Sequence, residues 1–286
     1  MITFLGAGLL GTGFVRALRG RGVAVNVWNR SHDKAKALEA HGAKAFEDPA
    51  RACEGADRVH VVLSDDAAVD ETLERASPAL PAGTLLVDHT TTAPSSTAAR
   101  VTRWDERGVR FVHAPVFMGP GNALASTGIM LVCGARDRVD AARPHLEPMT
   151  GKLVDLGDAP TQAAKMKLLG NLFLMFVTSG LADVFGLAKA MGVEPETAAA
   201  LFSEFNPGLT LPMRIERMLS RDFATPSWGL AMARKDARLM ESEATLGGET
   251  LAVLPAIAAR MDALIARGHG ADDWTVLGTD ALGPRP

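Results

Sequence analysis

Short β-branched runs and amphipathic stretches alternate through the first half of the chain. Ile2-Thr3-Phe4-Leu5, Ala24-Val25-Asn26-Val27-Trp28, Arg58-Val59-His60-Val61-Val62-Leu63 and Thr84-Leu85-Leu86-Val87-Asp88 read as strands. Val109-Arg110-Phe111-Val112-His113, Ile129-Met130-Leu131-Val132-Cys133 and Leu153-Val154-Asp155 continue the series. Helical periodicity fills residues 14–18 and 33–40. This alternation predicts one parallel sheet with helices on both faces.

The pattern changes after residue 161. Strand-like runs stop, and helical periodicity covers 162–191, 195–205, 228–246 and 251–266. Asn206-Pro207-Gly208 and Gly247-Gly248 mark turns between them. A chain of 286 residues suits two domains. The expected class is α/β: a Rossmann-like, doubly wound sheet over 1–161, then an all-α domain over 162–286, joined by the long helix that opens it. The end of the chain, Gly283-Pro284-Arg285-Pro286, reads as a frayed tail. The stretch 168–182 is the most apolar, yet it contains Asn171, Thr178 and Ser179 and is shorter than a bilayer span. It is expected to be a buried helix, with no membrane partner.

Composition narrows the function. A net charge of -3 and a pI near 6.2 give no basic field for nucleic acid or acidic membranes. Two cysteines, Cys53 and Cys133, exclude a disulfide framework and a cysteine-rich zinc site, so no metal is expected and a reducing compartment fits. The chain has no tyrosine, which excludes reductases whose proton donor is a tyrosine. Met1-Ile2-Thr3-Phe4-Leu5-Gly6 carries no positive targeting region, and a cytoplasmic location is expected.

Gly6-Ala7-Gly8-Leu9-Leu10-Gly11 directly follows the first strand and opens the first helix. In that setting Gly6 permits the tight turn, Gly8 lets the backbone approach a pyrophosphate, and Gly11 allows close helix–strand packing. The alternative is a turn shaped by glycines with no ligand. After the second strand, where NAD sites place a carboxylate, this chain has Asn29-Arg30-Ser31 and Lys34. A carboxylate would repel a ribose 2′-phosphate, whereas Arg30 can clamp it. NADP(H) is therefore expected over NAD(H), against the alternative of a solvated basic helix start.

Further candidates follow. Asp88-His89-Thr90-Thr91-Thr92-Ala93-Pro94 ends a strand on the crevice side, where the threonines could bind ligand or cap a helix. Ala114-Pro115-Val116-Phe117-Met118-Gly119-Pro120-Gly121-Asn122 is either a shaped ligand loop or a simple turn. On the long helix, Lys167 and Asn171 share a face bordered by Gly170. A helical lysine is usually solvated, but an apolar helix around it demands partners. Trp228, Lys235 and Asp236 belong to a stretch that alone reads as a surface with intrahelical ion pairs.

Taken in order, these segments resemble the β-hydroxyacid dehydrogenase family over nearly the whole chain, with the Lys165-Met166-Lys167 spelling most like the glyoxylate/succinic semialdehyde reductase branch. The resemblance implies that Lys167 is the general acid/base, with Asn171, Thr91 and Asp236 as its catalytic companions. It implies a cofactor site of Gly6, Ala7, Gly8, Leu9, Leu10, Gly11, Asn29, Arg30, Ser31, Lys34, Leu63, Ser64, Thr91 and Lys235. It implies substrate contacts from Phe117, Met118, Gly119, Asn122, Lys167, Asn171 and Trp228, and a homodimer or homotetramer. The implied reaction interconverts a small aldehyde acid and its hydroxyacid.

One departure matters. The family has Ser-Gly where this chain has Phe117-Met118, and that serine, with the neighbouring N–H groups, binds the substrate carboxylate. Either the backbone around Gly119 and Asn122 replaces it, or the substrate is larger and uncharged. An imine reductase or a reductase of an uncharged carbonyl with the same fold, and a non-catalytic NADPH-binding module, are the competing readings.

Overall fold

The structure, a computed structural model, describes residues 1–283, so the residues after Gly283 in the expected tail lie outside the described residues. The chain divides into two compact units, Met1–Leu172 and a second beginning at Phe173.

In the first unit, strands β1 (Ile2–Leu5), β2 (Val25–Trp28), β3 (Lys44–Phe46), β4 (Arg58–Val61), β5 (Leu85–Asp88) and β6 (Arg110–His113) form a parallel sheet in the order β3-β2-β1-β4-β5-β6. The connecting helices are α1 (Leu9–Gly20), α2 (His32–Lys36), α3 (Pro49–Cys53), α4 (Asp66–Ala76) and α5 (Pro94–Glu106). Alternation along each strand divides the core. Phe4, Val27, Val87 and Val112 face one apolar layer, and Leu5, Trp28, Leu86 and Phe111 face the other. Strand order reverses beside β1, which places the glycine loop at the switch point where such sheets hold their ligands.

The sheet is not single, as the alternation had predicted. β7 (Val116–Phe117), β8 (Ile129–Val132) and β9 (Lys152–Asp155) form a separate sheet, with β7 antiparallel to β8. Helices α6 (Pro120–Ala125) and α7 (Arg136–Leu146) connect them. The physical reason lies in the chain after β6. Buried Pro115 has no N–H for the main ladder, while its carbonyl accepts from Leu131 N and starts the new pairing.

Helix α8 spans Gln162–Ala190 and so carries the chain from the first unit into the second. Its apolar run is not buried, contrary to expectation. Leu174, Met175 and Phe176 are 56%, 66% and 58% exposed, and neighbours Leu172, Phe173 and Val177 are exposed as well. The helix is apolar on every side, so no single stripe can bury all of it. At 29 residues, with an 18-residue window of mean hydropathy 1.7, it is long and apolar enough to cross a bilayer.

The second unit adds α9 (Pro195–Glu204), α10 (Leu211–Ser220), α11 (Leu230–Leu246) and α12 (Leu254–Ala266). Phe223, Leu230, Met261, Leu264 and Val276 form its core. Asp183, on α8, accepts from the backbone N–H groups of Ala252, Val253 and Leu254 at 2.7, 2.8 and 2.9 Å. Those bonds cap the start of α12 from a distant residue.

Candidate functional site

The glycine loop fits its expected task atom by atom. Gly6 sits at φ +120, and a Cβ there would fall 2.0 Å from the Val62 carbonyl oxygen. A Cβ on Gly11 would fall 2.1 Å from the Gly6 oxygen, whereas one on Gly8 would meet nothing within 4 Å. Gly6 and Gly11 are therefore required by packing, and Gly8 faces the opening. Gly6 N donates to Trp28 O at 2.8 Å, and Ala7 N donates to Asn29 Oδ1 at 2.9 Å, which pins the loop to the end of β2. No acidic residue and no side-chain cap occupies the first turn of α1. Its N–H groups and dipole make an anion site suited to a pyrophosphate.

A cleft of about 470 Å³ opens from this loop. Leu9, Leu10, Asn29, Arg30, Ser31, Lys34, Leu63, Ser64 and Thr91 all line it, as does Lys167 at its far end. Gly6, Ala7 and Gly11 lie beneath the lining. Sequence reasoning missed Arg75, whose guanidinium stands 5.5 Å from the Trp28 ring centre on the cleft wall. Its position in α4 gives no motif signal. Arg30, Lys34 and Arg75 there outnumber the acidic Glu71.

Lys167 is 8% exposed. Its Nζ donates to Asn171 Oδ1 at 2.9 Å, one helical turn away, and rests 4.2 Å from the Phe117 ring centre. Burial pulls its pKa below the usual lysine range. The Phe117 ring lies against Gly170 so closely that a Cβ there would fall 2.3 Å from Phe117 Cζ. Glycine at 170 thus makes room for the ring.

None of the three threonines caps α5, whose N-cap is Ala93. Thr90 Oγ1 accepts from Leu63 N at 3.1 Å, and the Thr92 hydroxyl contacts those of Thr97 and the His113 ring. Thr91 is exposed on the cleft. Met118 also lines the cleft, but Gly119 and Asn122 do not. The Gly119 N–H donates to Asn122 Oδ1 at 2.9 Å, so it is already engaged. His89 and Val116, which sequence reasoning did not single out, complete the wall near Lys167.

Trp228, Lys235 and Asp236 belong to the second unit. Lys235 pairs with the adjacent Asp236, and the Trp228 ring centre lies 5.2 Å from that of Trp274.

The family model for the NAD binding domain of 6-phosphogluconate dehydrogenase matches residues 1–157. A probable 3-hydroxyisobutyrate dehydrogenase from Dictyostelium discoideum is 26% identical across 96% of this chain and 89% of its own. The chain belongs to the β-hydroxyacid dehydrogenase family. It is accordingly an NAD(P)-dependent oxidoreductase. A protein named NADH-dependent oxidoreductase ucdB, from Aspergillus ustus, is 32% identical over 59% of this chain and 57% of its own length. The imine reductase from Myxococcus stipitatus in complex with NADP+ superposes with a TM-score of 0.91, covering 98% of this chain and 99% of that one. At 19% identity, that likeness shows the shared fold.

Proposed function

We propose that this enzyme uses NADPH to reduce an uncharged carbonyl compound, with Lys167 giving the proton to the substrate oxygen. The observation that carries the reading is the buried ammonium of Lys167, which lines the dinucleotide cleft and is hydrogen-bonded to Asn171. Bound NADPH supplies the hydride. The protein's part is then proton delivery and charge stabilisation. Asn171 Oδ1 aims one N–H of Lys167, leaving others for an oxygen on which negative charge develops. Burial makes the ammonium a stronger acid than a solvated lysine, which favours proton release.

Phe117 selects the substrate class in this reading. Its ring covers one side of the ammonium, and the nearby Gly119 N–H is occupied. A carboxylate would lose its water beside that ring without gaining a second donor from this segment. This favours the uncharged alternative over the aldehyde acid. Imine reduction is less well served, because a cationic iminium would meet the like charge of Lys167. Arg30, Lys34 and Arg75 support NADPH through the extra phosphate. The exposed apolar run of α8 supports self-association, since soluble monomers rarely leave such a patch bare.

The test is consumption of NADPH and NADH by wild type and Lys167→Ala, with uncharged aldehydes and ketones, glyoxylate, succinic semialdehyde and a cyclic imine. Uncharged carbonyls should turn over with NADPH, and the variant should lose about a hundredfold or more in kcat while still binding NADPH. Turnover of acid aldehydes alone, or a fully active variant, defeats the reading.

A further inference from the structure

A buried chain of side chains runs from β4 to the wall of the cleft. Arg58 Nε donates to His60 Nε2 at 2.8 Å. A guanidinium has no acceptor, so His60 Nε2 must be bare and its proton sits on Nδ1. That Nδ1 faces His89 Nε2 at 2.9 Å and donates to it. The His89 proton is then on Nδ1, which donates to the Ala114 carbonyl at 2.7 Å. Each ring holds one proton, and every donor points the same way, from a permanent cation to a peptide oxygen.

The surroundings hold this state. The rings of His60 and His89 are parallel within 7°, 5.2 Å apart, with Phe4 stacked on His60 and Phe14 tilted over His89. Both histidines are almost wholly buried. The charged and titratable groups facing them are Arg58 on β4, His113 on β6 and His145 on α7. Burial keeps both rings neutral with help from these neighbours, and His89 is driven down to about 4 although its bond to the Ala114 carbonyl pulls the other way.

The last link is functional. Ala114 begins the short segment through Pro115 and Val116 that presents Phe117 to Lys167. The backbone anchors this segment through Ala114 N to Asp88 O and Leu131 N to Pro115 O. His89 supplies the side-chain hold on the carbonyl between them.

We propose that His89 is a positioning residue for the reduction, its Nδ1–H fixing the Ala114 carbonyl so that Phe117 shapes the substrate side of Lys167, with Arg58 and His60 selecting the tautomer. The role rests on the proposed carbonyl reduction, and its test separates the two.

The amide nitrogen of asparagine stands near where imidazole Nδ1 would, and the amide oxygen of glutamine near Nε2. His89→Gln therefore keeps the link to His60 and loses the Ala114 hold, His89→Asn does the reverse, and His89→Leu loses both. With an uncharged carbonyl substrate, Gln and Leu should raise its KM about tenfold, the worth of one hydrogen bond. Asn should restore it to within about threefold, and the KM for NADPH should not follow this order across the three variants. Equal behaviour of Asn and Gln, or parallel changes in both KM values, overturns the role. Nitrogen NMR of the unaltered protein gives a second readout that needs no variant. Both rings should be protonated at Nδ1 at neutral pH, and a proton on either Nε2 overturns the relay. A wild type inert toward every carbonyl would instead defeat the carbonyl-reduction reading, leaving the tautomer measurement to judge the chain.

Discussion

The Lys167 ammonium stands 4.2 Å from the centre of the Phe117 ring, so the charge that would receive substrate oxygen is bounded by an apolar face. In the proposed reaction that contact would set the substrate preference. Replacing Phe117 with serine should restore room and a hydroxyl beside the ammonium. The ratio of kcat/KM for glyoxylate to that for a neutral aldehyde should rise about tenfold or more, as one charge-assisted hydrogen bond would give. An unchanged ratio in steady-state assays would remove Phe117 from substrate selection.

The pH profile follows from the same lysine. The proposed reduction needs Lys167 protonated, so the rate should fall as pH rises through its pKa. Burial lowers that pKa, and the alkaline limb should lie below the ordinary lysine range. Asn171 accepts from the charged form and therefore favours it. Asn171→Ala should move the limb to still lower pH. A shift to higher pH in the kcat profile would reverse this assignment.

Arg30 and Arg75 line the cleft beside the end of β2. If they bind the extra phosphate, Arg30→Ala should weaken NADPH by about 10- to 100-fold and leave NADH within about twofold. Arg75→Ala should act in the same direction. Fluorescence titration of both cofactors provides the comparison.

Acid should weaken the fold through the buried histidines. An unfolded His89 takes its proton near 6.5, while the folded ring resists until about 4. Stability is therefore complete above 6.5 and declines as pH falls toward 4, by about 3 kcal/mol for this ring. Asp88, whose pKa burial raises, acts in the opposite sense. Urea denaturation at stepped pH should show a shallower decline between pH 6.5 and 5 in His89→Leu than in wild type.

Much of this was legible in residues. The β-branched runs located seven of the nine strands in the described sheets closely, and the glycine spacing marked the cofactor loop. Lys167 and Asn171 could be paired from helical geometry alone. β3 and β7, at three and two residues, are too short to carry a pattern. The separate sheet was hidden because each strand looks the same whichever partner it takes. Helix α8 misled because an apolar surface without a polar stripe reads as interior. Arg58 and His60 did leave a signal: polar side chains two apart on a strand buried along its length require partners of their own.

The fit of Phe117 against Gly170 also constrains the order in which this site can change. Alanine at 170 would force the ring aside, because its Cβ would lie 2.3 Å from Phe117 Cζ. Once 117 is small, the same alanine should add about 1 kcal/mol of helix stability. One substitution thus harms the present chain and helps its Phe117→Ser descendant, and thermal denaturation of the four members of that cycle should show the reversal of sign. A lineage leaving this pocket is favoured to change position 117 first, and alanine settled at 170 then opposes the return of phenylalanine.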